Sequence, residues 1–228
     1  MKKIVVLSGA GISAESGIRT FRDSDGLWEG HNVMDVASYD GWLKNQELVL
    51  SFYNDRRTQL KDCEPNKGHR IIAELEKDFD VHVITQNVDN LHERAGSTKI
   101  LHLHGELTKV RSEVDENDIR DIGYAELKKG DLCAKGKQLR PHIVWFGEAV
   151  PTISEAIEIS QTADVFIVIG TSLNVYPAAG LVNFVPKNCK VFLIDPNDVG
   201  ISAKNVTVIK DVASSGMAKV KAFLDIIH

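Results

Sequence analysis

The sequence predicts a doubly wound α/β fold, and three observations carry that expectation. Short β-branched runs recur along the chain, helical patterns alternate with them, and two stretches interrupt the alternation. Continuous apolar runs of this kind mark strands buried on both faces, as in a parallel sheet covered by helices. In order, the strand runs are KIVVLSG (3–9), DVHVITQN (80–87), KILHLHG (99–105), ADVFIVIGTS (163–172), KVFLIDP (190–196) and NVTVIK (205–210). Helical patterns fall at HRIIAELEKD (69–78), ISEAIEISQT (153–162), AAGLVNFV (178–185) and GMAKVKAFLDIIH (216–228). The first interruption, approximately 23–60, looks helical after a glycine-containing loop; the second, approximately 108–140, is polar with charges of both signs. The two are expected to form a smaller module from two insertions, leaving a core of approximately 1–22, 61–107 and 141–228 in a single 1–228 domain.

A chain of 228 residues with 43% apolar content can bury a substantial core. Its net charge of −5 and pI near 5.9 exclude the basic footprint of a general nucleic-acid binder. No apolar run approaches the ~20 residues of a membrane span. Met1, Lys2 and Lys3 run straight into the first strand, so no signal peptide is expected. Cys63, Cys133 and Cys189 are scattered, which suggests a reducing compartment and no disulfide framework. The expectation is a cytoplasmic monomer with neither a nucleic-acid nor a membrane partner.

The first strand leads into GAGISAESGIRTFR (9–22), where Gly9 and Gly11 follow the strand and Gly17 closes the segment. Small residues there let backbone N–H groups approach a pyrophosphate. The spacing G-x-G-x5-G differs from the G-x-G-x-x-G of ordinary dehydrogenases. Alone it leaves open a dinucleotide or phosphate site and a plain strand-to-helix turn. In KILHLHG the alternation puts His102 and His104 on one side of the strand, with His104 at its end beside Gly105. A histidine at a carboxyl edge of the sheet reaches a ligand and titrates near neutrality, as a general base must.

The segment LVLSFYNDRRTQL reads as an amphipathic helix. At about 100° per residue, Leu48, Val49, Phe52, Tyr53 and Leu60 share one face. Arg56 falls near the middle of that face and Arg57 at its edge. An arginine centred among apolar side chains needs an anion, whereas one at the edge can snorkel to water. Tyr53 and Arg56, at i and i+3, lie on one side of the helix.

Five motifs in order, GAGISAESGIRTFR, TQNVDNLHERAG (85–96), LHLHGE (101–106), RPHIVWFGE (140–148) and GTSLNVYPAAG (170–180), together resemble the sirtuins, the NAD-dependent protein lysine deacylases. Within that family the chain looks most like bacterial and mitochondrial members that remove acidic acyl groups. The resemblance implies a Rossmann-like core, NAD as cofactor, and acylated lysine residues of proteins or peptides as substrate. It implies removal of succinyl, malonyl and acetyl groups, giving nicotinamide and O-acyl-ADP-ribose.

Residue by residue, the resemblance makes His104 the catalytic base. Gly9, Ala10 and Gly11 approach the cofactor; Ile12, Asn87 and Asp89 hold its nicotinamide side, and Gln86 reaches the ribose. Phe21 shields the reactive ribose and Arg22 pairs with phosphate oxygens. Gly170, Thr171 and Ser172 meet phosphate and ribose, and Ala213 the adenine side. The peptide adds as a strand between WFGE and GTSLNVYP. Val144, Phe146 and Gly147 line the path of the lysine stem, while Tyr53 and Arg56 recognise an acyl carboxylate. The alternatives on the same scaffold are a protein ADP-ribosyltransferase and an NAD-binding module without activity.

Two departures from the family stand out. Most sirtuins hold a structural zinc on two C-x-x-C pairs, but the interval 106–139 contains only Cys133. No metal is therefore expected, Asp115 and Asp118 being hard oxygen donors, and the small module is expected to hold itself by helix packing alone. Leu193 stands where the family has an asparagine for the adenine ribose, with Asn197 as the candidate substitute.

Overall fold

The computed structural model describes residues 1–19, 27–171, 173, 175–197 and 205–227. The first strand, β1 (Lys3–Ser8), is followed by a 3-10 turn over Ala10–Ser16. A hairpin of β2 (Leu27–Trp28) and β3 (His31–Asn32) precedes α1 (Val33–Val36), α2 (Tyr39–Lys44) and the long α3 (Gln46–Asp62). Then come α4 (Lys67–Glu74), β4 (Asp80–Thr85), α5 (Leu91–Ala95), β5 (Ile100–His102), β6 (Gly105–Arg111), β7 (Ile119–Asp121) and β8 (Arg140–Ile143). The chain closes with α6 (Ile153–Ser160), β9 (Val165–Ile169), a 3-10 segment (Ala178–Asn183), β10 (Lys190–Ile194), β11 (Val206–Ile209) and α7 (Ala213–Ile227).

All six expected strand runs join one parallel sheet, in the order β11-β10-β9-β1-β4-β5. Strand alternation sorts the core into two layers. Ile4 and Val6 face α4 and α7, packing with Ile72, Met217 and Leu224. Val5 and Leu7 face the other way, toward Ala156 of α6 and Leu181 of the second 3-10 segment. Because the chain moves outward from β1 to β5 and then returns to β9, β1 and β9 flank the point where the order reverses. Crevices open at such a point beyond the carboxyl ends of the strands.

The smaller module departs from the expectation of helix packing alone. Its second insertion is an antiparallel sheet, β7-β6-β8, and a β-hairpin precedes the helices of the first. The charged alternation of this stretch suits strands with one face on a core and one in water, which a helical reading overlooks. The core beneath it gathers Trp42, Phe52, Tyr53, Leu107, Leu139 and Trp145 from both insertions. In that sheet β6 begins at Gly105 and β8 runs on to Ile143. The 178–185 run is a short 3-10 segment rather than an α-helix, and the last helix starts at Ala213, before 216.

Arg57 is a second correction. It is fully buried, not snorkelling: its guanidinium donates to the carbonyls of Ala125 (3.1 Å) and Leu107 (3.2 Å) and to Asn54 Oδ1. Asn54 in turn donates to Leu127 O (3.0 Å) and accepts from Leu127 N–H (3.0 Å). The second insertion lies over the helix edge that would otherwise face water. Burial lowers the Arg57 pKa to about 10, which leaves it charged at neutral pH.

Candidate active site

A cavity of about 750 Å³ runs across the carboxyl ends of the sheet and continues under the small module. Each strand contributes where it ends. Gly9, Ala10 and Gly11 follow β1, Gly170 and Thr171 follow β9, and Gln86, Asn87 and Asp89 follow β4. His104 follows β5, Asn197 follows β10, and Ala213 opens α7 after β11. Close backbone approach makes this edge glycine-dependent. Gly170 has φ +63°, and a Cβ on it would sit 2.2 Å from Ile12 N.

His104 lies just past the end of β5 rather than within it. Its Nδ1–H donates to the Gln86 carbonyl (3.0 Å), which leaves Nε2 as the proton acceptor of the neutral ring. Burial pushes its pKa below the ordinary histidine value, partly opposed by the Gln86 carbonyl. Gly105 beside it is indispensable: a Cβ there would lie 2.0 Å from His142 O, with φ +82°. His102 is engaged elsewhere, with Nε2 2.7 Å from Glu93 Oε1 and Nδ1 3.1 Å from Asn87 O. Burial opposes its charge, but the Glu93 carboxylate outweighs burial and raises its pKa.

Asn87 and Asp89 are buried and linked through Ser13, a residue the sequence reading missed. Ser13 Oγ donates to Asp89 Oδ2 (2.9 Å) and accepts from Asn87 Nδ2 (3.2 Å). Asp89 also accepts from the Leu91 N–H (3.1 Å), an Asx turn that leads into α5. Its pKa is raised by burial, against the Leu91 and Ser13 hydrogen bonds. A second buried chain runs behind it, from His92 Nε2 to Ser8 Oγ (2.9 Å), on to Thr85 Oγ1 (2.9 Å), which accepts from Asn87 N–H (3.1 Å). Gln86 Nε2 donates to Thr171 Oγ1 (3.2 Å), tying the ends of β4 and β9 together.

Ile12 is not brought to the cavity: its side chain is fully buried in the sheet core with Val6 and Ile169. The 3-10 turn points it inward, while its neighbours Gly11 and Ala14 line the cavity. Leu193 is likewise buried, whereas Asn197 does line the cavity. Phe21, Arg22 and Ser172 lie outside the described residues.

On the module side, Val144, Phe146 and Gly147 line the cavity, and Val144 N–H donates to His104 O (2.9 Å). This wall is braced from behind. The Arg140 guanidinium stacks 3.5 Å from the Trp145 ring and pairs with Glu148 at 2.7 and 2.9 Å, and Glu148 accepts from Trp145 N–H (2.8 Å). Tyr53 and Arg56 both line the cavity from α3. Tyr53 is fully buried, its hydroxyl oxygen accepting from Trp145 Nε1 (2.9 Å), and burial raises its pKa so that it keeps its proton. Arg56 stacks on Phe52 (5.2 Å), yet its Nε and Nη1 have no hydrogen-bond partner among the described residues. Trp28, Glu29, Val33 and Ala37 complete this wall; nothing in their local sequence pattern marked them as lining residues.

The residues present fit a dinucleotide in their layout. Small residues at the ends of β1 and β9 leave backbone exposed, and a paired amide and carboxylate sit buried at one end of the same cavity. Among the described residues, no helix is long and apolar enough to cross a membrane.

Comparison with known proteins points the same way. A model described as the Sir2 family matches residues 9–177. An NAD-dependent protein deacylase of Bacteroides thetaiotaomicron is 53% identical over 98% of this chain and 98% of its own length. One of Helicobacter pylori is 55% identical over 99% of this chain and 96% of its own. Among solved structures, a Sir2 homologue in complex with NAD matches with a TM-score of 0.89 and 36% identity, over 99% of this chain and 90% of that one.

Proposed function

Since the chain belongs to the Sir2 family, we propose that it is an NAD-dependent protein lysine deacylase that removes succinyl and malonyl groups, and acetyl groups as well, giving nicotinamide and O-acyl-ADP-ribose. The chemistry that NAD would supply when bound is an electrophilic ribose carbon for the amide oxygen, with nicotinamide as leaving group, and a neighbouring ribose hydroxyl that ends up carrying the acyl group. The chain's own part is to orient and to move protons. Asn87 and Asp89, steadied by Ser13, offer a donor and an acceptor for a carboxamide. Gln86 and Thr171 bracket the middle of the cavity. His104 takes up a proton at Nε2 while its Nδ1–H stays on the Gln86 carbonyl, which holds the ring's tautomer and orientation. Phe146 and Val144 shelter the lysine stem from water.

The acidic-acyl preference rests on one observation above all: Arg56 lines the cavity and its Nε and Nη1 make no hydrogen bond among the described residues, beside a tyrosine that keeps its proton. A guanidinium and a phenol hold a carboxylate together, whereas an acetyl group cannot use the charge. Three buried free cysteines suit a reducing, cytoplasmic setting. To test the reading, acetyl-, succinyl- and malonyl-lysine peptides are incubated with the protein and NAD and followed by mass. All three should lose the acyl group; if none does, the deacylase assignment falls.

A further inference from the structure

Glu29 stands against the same guanidinium. Its Oε2 lies 3.8 Å from Arg56 Nη1 and 3.9 Å from Arg19 Nη1, and its side chain, 14% exposed, lines the cavity. The local backbone does not explain a glutamate here. Glu29 and Gly30 form the two-residue loop between β2 and β3, with φ of +50° and +82°. Two positive φ values are the mark of a type I′ hairpin turn, which favours Asn-Gly and disfavours a longer side chain at its first position. A residue held in a sparsely populated conformation at a cavity wall argues for a role in the site.

We propose that Glu29 is a built-in counter-ion of Arg56 that sets the balance between neutral and acidic acyl groups. This rests on the reading that Arg56 receives the acyl carboxylate. With a neutral acyl group bound, Glu29 supplies the charge that a mostly buried guanidinium would otherwise lack. With an acidic acyl group, two carboxylates converge on Arg56, and Glu29 competes until it turns toward Arg19, which is 74% exposed and free to follow it. At 3.8 Å the contact is longer than a hydrogen bond, so among the described residues the Arg56 Nε and Nη1 donors stay unspent for an incoming carboxylate. Glu29 therefore makes the site tolerant of acetyl-lysine at the expense of succinyl-lysine.

The test uses Glu29→Asn, which suits the turn and so should fold, alone and combined with Arg56→Met. For acetyl- and succinyl-lysine peptides of one sequence, the ratio of kcat/KM values (succinyl over acetyl) should rise about tenfold in Glu29→Asn, the scale of relieving one partly screened like-charge pair. In the Arg56→Met background the same change should leave the ratio unmoved, which a merely structural role for Glu29 would not produce. A flat ratio in a Glu29→Asn protein of unchanged Tm overturns the assignment, as does an equal shift with and without Arg56. If the unmodified protein removes acetyl but no succinyl, the acidic-acyl reading fails and this inference with it; succinyl removal with a flat ratio overturns Glu29 alone.

Discussion

Along its sheet side the cavity is walled by strand ends, where glycines and short polar residues leave backbone and buried hydrogen-bond chains in contact with the space. Along its module side it is walled by long side chains of α3 and the β2–β3 hairpin, held over an aromatic core. The sheet wall has almost no freedom: at Gly105 and Gly170 a single added carbon would overlap backbone. The module wall includes Arg56 and Glu29, long charged side chains whose 3.8 Å contact is not locked by a hydrogen bond. One wall is thus suited to a fixed ligand and the other to a variable one.

The most severe way to test this division is at His104. His104→Tyr removes the proton acceptor from the sheet wall and should lower kcat for every acyl group by about a thousandfold or more. The loss should be the same for acetyl and succinyl peptides; a selective loss would mean that the two walls do not divide the work. Next comes Arg56→Met, which should cost desuccinylation about a hundredfold while deacetylation changes only a few fold, measured as kcat/KM. Equal losses would refute the carboxylate role.

Arg57→Met, one residue away, should behave in the opposite manner. It strips donors from the Leu107 and Ala125 carbonyls, so denaturant unfolding should show a loss of roughly 2 kcal/mol, with the two acyl groups affected alike. The smallest effect concerns pH. Because burial lowers the His104 pKa, the imidazole is mostly neutral at the usual histidine value of 6.5. The acid limb of kcat/KM should therefore fall below pH 6.5, where the base becomes protonated. A limb at or above that value would contradict the burial argument.

Legibility in the sequence followed the same division. The six strands were readable because apolar, β-branched runs buried on both faces leave little ambiguity, whereas the roles of the residues at their carboxyl ends came from the family resemblance. Arg56 was readable because a helical wheel is local. Arg57 was misread because its partners lie 50 and 68 residues away, in an insertion whose strands carry no continuous apolar run. Ser13 and Glu29 were missed for a related reason: each sits in a turn, and its role depends on a partner from another element.

The parallel sheet, the glycine-lined edge, the histidine at the end of β5 and the face of α3 that carries Tyr53 and Arg56 can be read from the order of residues. These depend on periodicity and spacing, which act over a few residues. Folding alone fixes that Arg57 is sealed beneath the second insertion while Arg56 lines the cavity, that the small module is partly an antiparallel sheet, and that Glu29 stands between Arg19 and Arg56. Those depend on long-range packing, where burial and desolvation arise from segments that meet only once the chain has folded.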